Sequence, residues 1–464
     1  MLFSEPQFFL FFAFYAVLHV MLPAQYRLYL IIAGGAVFYS WWRPDYLWIP
    51  FGLSLVAFYG TAWIDGASND ISRKQRLWAV LVVLFVPLLI VKYTYFIFSS
   101  ILGMVVDPAA LLADPTLLRW ALPLGISFIT FTAMAYVVDV YRRKYVREHS
   151  LVLMLGYMLF FPHLIAGPIL RPHELMPQLK RQRPARNARM LLGVAIFTLG
   201  LVKKLVFADQ IASAVEPIYG GAAGLSAWHY LIAIYGFSVQ IYCDFSGYTD
   251  MAIGLSYLLR IRLPTNFLRP YSSASLTEFW RRWHITLSHW LRDYLYIPLG
   301  GNRMSQIRQM INLLVTMILG GLWHGANWNF AIWGAIHGVG LGASHLLKGK
   351  LVLPRWIGIF ITFHFVTLAW VFFRASDMAT AIRILTGPFR ESYGNAFQTL
   401  SLVAFPSLLI LLFLLTHQFD RHARLRWASV RTNRPFQWGV IALMWIIAVT
   451  VSEGSSAKFI YFDF

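Results

Sequence analysis

Long apolar segments alternate with short polar loops along the chain. Because an α-helix needs about 20 mainly apolar residues to cross the hydrocarbon core of a bilayer, each such segment is a candidate transmembrane helix. The pattern predicts an all-α polytopic membrane protein with about 11–13 transmembrane helices. The predicted spans lie near 7–22, 28–43, 47–64, 77–98, 120–140, 190–207, 229–258, 311–322, 327–346, 356–373, 400–417 and 436–452.

Two segments do not fit a single crossing. Residues 150–170 are apolar but lie between two basic loops, so we expect them to enter the membrane and return, with breaks at Pro162 and at Gly167-Pro168. Residues 260–310 are too polar to span a bilayer and are rich in Trp and Tyr. We expect this segment to lie at the cytoplasmic interface or to descend into a protein-lined cavity, where non-helical backbone is tolerated.

The composition agrees with a membrane protein, since 58% of residues are hydrophobic and 13% are charged, against about 25% charged residues in a soluble domain. The net charge of +19 is divided among loops. If the basic loops are cytoplasmic, the N-terminus lies outside. Charge divided in this way attracts anionic lipids but forms no groove for nucleic acid. The loops with the largest Lys/Arg excess are 73–76, 142–144, 180–189 and 421–434.

The sequence shows no sign of a second, soluble domain. We predict a single integral membrane domain over residues 1–464, with N-terminal helices in 1–119 and a core in 120–464 that contains both irregular segments. The first apolar segment lacks a basic n-region and a cleavage site, so we expect it to be retained. Cys243 is the only cysteine, which excludes an intrachain disulfide and a thiolate metal cluster, and we predict no metal site.

His324 is the leading catalytic candidate. It follows a long apolar run and lies among small residues, Gly321, Gly325 and Ala326, which allow backbone or ligand to approach closely. An ionisable group at membrane depth is a functional candidate, and an imidazole there can accept a proton or carry an acyl group. The alternative is a core histidine that hydrogen-bonds a carbonyl group. Trp323 and Asn327, beside His324, are predicted to support it.

A second candidate group is the run of bulky and basic residues at 280–284. Trp280, Arg281 and Arg282, together with Arg303, are predicted to bind a donor that carries phosphates, because the guanidinium group holds phosphate by two-point contact. Lipid headgroups would suit these arginines nearly as well. His284 is the second catalytic candidate, although its neighbours also suit an anchor at the membrane interface.

Acidic residues in apolar surroundings form a third, supporting group. Asp244, Tyr248 and Asp250 lie in one predicted span, and we expect the carboxylates to pair with Arg281, Arg282 or Arg292. Asp293 is the other supporting residue, and the spacing to His289 would place the two on one helical face. Such spacing is also frequent by chance.

Templates for other enzyme classes are missing from the sequence. It has no G-x-S-x-G elbow, no P-loop and no dinucleotide-binding glycine motif. His173-Glu174 is followed by Pro177 where a zincin would have its second histidine. These absences argue against a hydrolase or a nucleotide-driven pump.

Several motifs together resemble the membrane-bound O-acyltransferase (MBOAT) family, in particular its bacterial branch of alginate O-acetylation proteins. The resemblance runs from about residue 120 to the end of the chain. The motifs are EFWRRWHITLSHWLRDYLYIPLGGNR (278–303), GGLWHGANWNFAIWGAIHG (320–338), FFPHLIAGPI (160–169), YCDFSGYTDMAIG (242–254) and AKFIYFDF at the C-terminus.

The resemblance implies a many-helix fold in which re-entrant helices form a central funnel. The family's essential histidine falls on His324 and its second histidine on His284, whereas His289 is not part of the pattern. It also implies acetyl-CoA as a cytoplasmic donor substrate, with no permanently bound cofactor. A periplasmic polysaccharide O-acetyltransferase is the implied partner, with other exopolysaccharide synthesis or export components as further candidates.

The leading hypothesis is passage of acetyl across a bacterial inner membrane for O-acetylation of a secreted polysaccharide such as alginate or cellulose. One alternative keeps the fold but transfers D-alanyl groups or acylates a lipid. Another is a non-catalytic scaffold for polysaccharide export. Loss of His324 would be tolerated only by the scaffold.

Overall fold

The computed structural model describes residues 1–101, 122–181, 190–347, 349, 353–394, 396–423, 425, 433–452 and 459–460, without the side chains of 396–402. All regular structure in these residues is helical, as predicted. The first unit of the fold, defined below, contains α1 (Pro6–Met21), α2 (Arg27–Ser40), α3 (Trp48–Asp65), α4 (Asp70–Leu88), α5 (Ile126–Tyr141), α6 (Leu151–Met158), α7 (Phe161–Leu164) and α8 (Pro172–Lys180).

The later helices carry most of the candidate residues. Turns of π-helix follow α4 at Leu89–Tyr93 and Ile97–Ile101 and join α9 to α10 at Lys203–Ala208. The helices are α9 (Met190–Val202), α10 (Asp209–Tyr219), α11 (Ala227–Leu258), α12 (Leu276–Trp280), α13 (Ile285–Leu291), α14 (Gln306–His324), α15 (Trp328–Leu346), α16 (Arg355–Arg374), α17 (Met378–Arg390), α18 (Ala396–Thr416) and α19 (Arg434–Val451).

Within the described residues, five helical segments are long and apolar enough to cross a membrane. Each overlaps a predicted span, and α1, α5 and the described part of α18 are shorter apolar helices that overlap others. The polytopic, all-helical class is therefore confirmed, while the number of crossings stays a prediction. The five segments are Pro44–Asp65, Asp70–Ile101, Met190–Tyr219, Arg355–Arg374 and Arg434–Val451.

The outer surface of α16 shows why these helices suit a bilayer. Trp356 and Phe360 are 72% and 60% exposed, and Leu368 further along the helix is 48% exposed. Large apolar patches are rare on soluble monomers. This face of α16 therefore fits contact with lipid.

The described residues group into two compact units. One contains 1–190 with 255–264, and the other contains 191–254 with 265–464. The predicted division near residue 119 stays a prediction. Because every candidate site residue has a number within the second unit's ranges, the candidate site can be described within that unit alone.

The apolar segment at 150–170 is broken where proline and glycine predicted a break. α6 ends at Met158, and Pro162 lies in the first turn of the four-residue α7, where a missing N–H costs nothing. The chain leaves helical structure again after Leu164. The break is confirmed, and entry and exit on one side of the membrane stays a prediction.

The polar segment at 260–310 folds into short helices, and much of its middle part is buried inside the second unit. Trp283 is 1% exposed, and Phe279 and His284 are fully buried. The indole of Trp283 packs 4.9 Å from that of Trp370 in α16, measured between ring centroids. This part of the segment is therefore surrounded by protein and does not lie exposed at a membrane interface.

Candidate active site

The site is centred on the tip of a helical hairpin. α14 ends at His324 and α15 begins at Trp328, so the chain reverses in a short turn. A Cβ atom on Gly321 would lie 2.1 Å from the carbonyl oxygen of Phe330, and one on Gly325 would lie 2.0 Å from its ring. The small residues around His324 therefore allow the two helices to touch.

Aromatic side chains surround the ring of His324, which is 4% exposed. Ring centroids of Trp323, Trp333 and Phe373 lie 4.9, 5.4 and 5.1 Å from it. These contacts shield the imidazole from water. The predicted route from His324 to the two aqueous sides stays a prediction.

Asn327 fixes the turn that follows His324. Its Oδ1 accepts a hydrogen bond from the backbone N–H of Asn329 at 2.9 Å, which caps α15, and its Nδ2 donates to the carbonyl oxygen of Ser376 at 2.8 Å. Asn329 Nδ2 donates to the neighbouring carbonyl oxygen of Ala375 at 3.0 Å. Two amides thus tie the hairpin tip to the chain after α16.

His284 lies at the start of α13 with φ 41° and ψ 56°, the left-handed region that non-glycine residues seldom adopt. Its ring is fully buried, and burial lowers the pKa of His284 to about 3, so the imidazole is neutral at physiological pH. Nδ1 lies 3.2 Å from Oδ1 of Asn266. The backbone N–H of Ile285 donates to the carbonyl oxygen of Asn266 at 2.9 Å, which holds the two segments together.

The two candidate histidines contact the same indole. The ring centroid of Trp323 lies 6.2 Å from that of His284 and 4.9 Å from that of His324. Trp280 belongs to the same aromatic cluster, since its ring lies 5.9 Å from Trp333 and its Nε1–H donates to Nδ1 of His337 at 3.3 Å. The structure therefore brings together four of the predicted residues.

The predicted phosphate-binding arginines differ in their surroundings. Arg281 and Arg303 are exposed. Arg282 is half-buried and forms an ion pair with Glu278 at 2.5 Å, and Glu278 also binds Arg355 at 3.3 Å. Arg281 and Arg303 are therefore the two with their charge at the surface.

The predicted arginine partners of Asp244 and Asp250 were wrong. Asp244 forms an ion pair with Lys204 at 2.9 Å, and Asp250 pairs with Lys203 at 2.7 Å and with Nε2 of His422 at 2.8 Å. The lysines lie in the π-turn between α9 and α10, and packing of this turn against α11 brings them to the carboxylates. These buried pairs hold α11 in place.

Tyr248 and Asp293, the two remaining residues predicted to support the site, are both buried. Tyr248 is 2% exposed, and its ring stacks on that of Phe459 with centroids 4.8 Å apart. Asp293 accepts a hydrogen bond from Nε of Arg292 at 2.7 Å, while His289 is exposed. The paired role predicted for His289 and Asp293 stays a prediction.

Sequence reasoning missed Asn266 and the two lysines. Lys203 and Lys204 carried a signal, since two cations in an apolar span require buried anions nearby. Asn266 carried none, because a neutral amide in a polar segment is unremarkable until its contacts are known. His337, which accepts from Trp280, was likewise overlooked.

Comparison with known proteins gives a consistent assignment. The sequence profile of the membrane-bound O-acyltransferase family matches residues 140–375, which include both His284 and His324. A protein of Pseudomonas aeruginosa named "Probable alginate O-acetylase" is 39% identical over 408 residues, covering 85% of this chain and 76% of the relative.

Two further relatives have other named substrates. The peptidoglycan O-acetyltransferase of Helicobacter pylori is 38% identical, over 79% of this chain and 74% of its own length. The teichoic acid D-alanyltransferase of Streptococcus thermophilus is 31% identical, over 54% of this chain and 68% of its own length. The two O-acetylating relatives are thus similar over much more of the chain.

Proposed function

This chain belongs to the membrane-bound O-acyltransferase family and is an acyltransferase, and we propose that it takes acetyl from cytoplasmic acetyl-CoA. The acetyl group then passes across the bacterial inner membrane for O-acetylation of a secreted exopolysaccharide. Likeness to alginate O-acetylases over 85% of the chain supports this acyl group and acceptor class. The coenzyme is a substrate and not a permanently bound cofactor.

The observation that carries the proposal is the pair of buried histidines that contact Trp323. Both rings contact this indole, at 6.2 and 4.9 Å between centroids, and both are shielded by aromatic side chains. A water-poor site protects an activated acyl group from hydrolysis. An imidazole in such a site is suited to move a proton during transfer.

The proposed chemistry exchanges a thioester for an ester. The acceptor oxygen attacks the thioester carbon, its proton passes to an imidazole, the C–S bond breaks, and the proton ends on the CoA sulfur. His324 is the leading residue for this proton transfer and His284 is the second. The reaction as written balances without an oxidant or a metal ion. Positioning of the reactants and base catalysis supply the rate acceleration.

The donor would bind through its phosphates. Arg281 and Arg303 present exposed guanidinium groups, which suit phosphate recognition. We assign the contact to these two, because Trp280 is buried in the aromatic cluster and Arg282 is partly engaged by Glu278. CoA is too polar to cross the bilayer, so the acetyl group alone moves.

The final acceptor is proposed to be alginate- or cellulose-like, reached through a periplasmic O-acetyltransferase partner. The polymer lies outside the membrane and the acetyl donor lies in the cytoplasm. We therefore propose that transfer takes place in two stages. Peptidoglycan is the other polymer acceptor that a relative of similar identity supports. Transfer of D-alanyl groups has weaker support, because the D-alanyltransferase of Streptococcus thermophilus matches only 54% of this chain.

The test is His324→Ala in purified protein with labelled acetyl-CoA. We expect release of CoA thiol to fall by at least about 10²-fold, the usual contribution of a positioned acid–base group. His345→Ala is the matched control, because His345 is exposed near the end of the same hairpin and should leave the rate unchanged. Equal CoA release by wild type and His324→Ala would contradict the proposal.

The same variants in cells distinguish an enzyme from a scaffold. With membrane insertion confirmed, His324→Ala should abolish acetylation of the extracellular polymer while polymer export continues. Normal acetylation in that variant would favour the non-catalytic scaffold. Turnover of a D-alanyl thioester in place of acetyl-CoA would instead favour the second donor.

A further inference from the structure

Three polar groups meet at one buried oxygen atom of the second unit. Oδ1 of Asn266 accepts from the backbone N–H of Thr286 at 3.2 Å and from its hydroxyl at 3.0 Å, and lies 3.2 Å from Nδ1 of His284. Asn266 is 1% exposed. This amide is therefore held rigidly against the imidazole.

The identity of the amide atom follows from Thr286. A backbone N–H can only donate, so the atom that faces it must be the carbonyl oxygen of Asn266 and not its NH₂ group. An oxygen acceptor in turn requires a hydrogen on Nδ1 of His284. In a neutral imidazole the other nitrogen, Nε2, then carries a lone pair and no hydrogen.

We propose that Asn266 is a positioning residue that fixes His284 in the Nδ1–H tautomer, so that Nε2 acts as a proton acceptor in acyl transfer. This inference rests on the proposed function. It defines how His284, the second residue proposed for this proton transfer, would act: Nε2 receives the proton of the attacking hydroxyl and returns it to the sulfur as the C–S bond breaks. Before proton uptake, the same tautomer excludes donation of a hydrogen bond from Nε2 to the substrate carbonyl oxygen.

The surroundings of His284 make this choice of tautomer stable. Besides Asn266, the ring contacts Phe245 of α11, Phe267 and Trp323 of α14, with centroids 4.7, 6.4 and 6.2 Å away. None of these side chains carries a charge. Loss of the Asn266 acceptor would let the hydrogen move to Nε2 and block proton uptake, as loss of an orienting partner does in other catalytic histidines.

The direct test is ¹⁵N NMR of the full-length protein in nanodiscs, labelled at histidine, with His284→Gln used to identify the His284 signals. Wild type should show a protonated Nδ1 and a bare Nε2. Asn266→Leu should show the Nε2–H form and lose about 10²-fold or more in CoA release. A wild-type spectrum with hydrogen on Nε2 would overturn the inference, whatever the acyl donor proves to be.

A second variant keeps the test independent of folding defects. Asn266→Asp retains an acceptor oxygen, so the tautomer and activity should be preserved. The carboxylate favours the imidazolium, so the acid limb of the pH–rate profile should move to higher pH. An unchanged profile in Asn266→Asp would count against the inference.

Thr286→Val is the matched control for loss of support at the same oxygen. It removes one of the three hydrogen bonds to Oδ1 but leaves the one to His284. Activity and pH profile should stay close to wild type. A loss equal to that of Asn266→Leu would show that the cluster supports the fold only and would overturn the inference.

Discussion

Gly321 lies at a close approach of α14 and α15, where a Cβ atom would be 2.1 Å from the carbonyl oxygen of Phe330. Backbone cannot yield as a flexible side chain can, so Gly321→Ala must push the helices apart at the turn that holds His324. We expect a loss of about 1–3 kcal/mol in stability. The rate of CoA release should fall by more than this loss of stability alone would cause, since small displacements of a catalytic group are costly. Thermal unfolding and CoA release measure the two effects.

Gly439→Ala is the control for that substitution. It also lies in a helix, α19, but a Cβ there meets nothing within 4 Å. Alanine has the higher helix propensity, so this variant should be neutral or more stable by up to about 1 kcal/mol. Similar behaviour of the two alanine variants would mean that close packing at the hairpin tip is unimportant.

Single residues differ in how far sequence alone could reveal them. His324 was singled out because an ionisable group in apolar surroundings is rare and expensive, and His284 because it lies in a run of bulky and basic residues. Asn266 was not singled out, because its proposed role comes from a hydrogen bond to a residue 18 positions later. Local pattern has no information about such a partner.

At the scale of elements, Lys204 joins the π-turn after α9 to the neighbouring helices. Its Nζ lies 2.8 Å from Oδ1 of Asp209 and 2.9 Å from Oδ1 of Asp244. Lys204→Met keeps the apolar length of the side chain but leaves both carboxylates without this cation. Breaking a buried pair in this way should cost about 3–5 kcal/mol, seen as a lower unfolding temperature and less folded protein.

Neutralising the carboxylates should reverse this loss. The triple variant Lys204→Met with Asp209→Asn and Asp244→Asn removes the uncompensated charge, and most of the stability should return. Asp45→Asn, which breaks an exposed pair with Arg43, should have no measurable effect. If Lys204→Met were as harmless as Asp45→Asn, the buried network would not stabilise these helices.

Glu148 connects two further elements, the start of α6 and the end of α8. It accepts from the backbone N–H groups of His149 and Ser150 and pairs with Lys180 at 2.6 Å. Burial raises the pKa of Glu148, but Lys180 and the backbone donors outweigh it, so the pKa lies below its usual value. The stabilisation is therefore complete above the unfolded-state pKa and is lost as pH falls through the folded-state value.

Glu148→Gln should accordingly destabilise the protein at neutral pH by about 1 kcal/mol. The difference from wild type should shrink as the pH falls through the lowered folded-state pKa of Glu148, where the wild-type carboxylate also becomes neutral. The unfolding temperatures of both proteins in the same detergent, compared from neutral to acidic pH, measure this difference in stability. A difference that stayed constant with pH would mean that the charge of Glu148 contributes nothing.

The positions of the helices along the chain were largely predictable, whereas the contacts between helices were not. A run of apolar residues determines that α16 or α19 forms, and prolines predicted where the segment near Pro162 breaks. The partners of Asp244 and Asp250 required knowledge of which helices pack together. The error was to choose arginines 30 or more residues further along the chain over the two lysines of the π-turn between α9 and α10.

At the scale of the whole molecule, the proposed function depends on orientation, because donor and polymer lie on opposite sides of the membrane. The positive-inside rule places the basic residues 73–76, near the start of α4, in the cytoplasm and the turn between α2 and α3 outside. Lys74 and Asp45 are exposed at these two places. The only native cysteine, Cys243, is buried and should give little background. Introduced cysteines therefore report which side each loop occupies.

We expect a membrane-impermeant maleimide to label Asp45→Cys in intact spheroplasts, and Lys74→Cys only after the membrane is opened. The wild-type chain, with Cys243 alone, is the control in both conditions. The physical reason is that basic loops are retained on the cytoplasmic side while the weakly charged turn is carried across. Labelling of Lys74→Cys in intact spheroplasts would contradict the predicted orientation of the N-terminal helices. The proposed direction of acetyl transfer, which rests on that orientation, would then have to be abandoned.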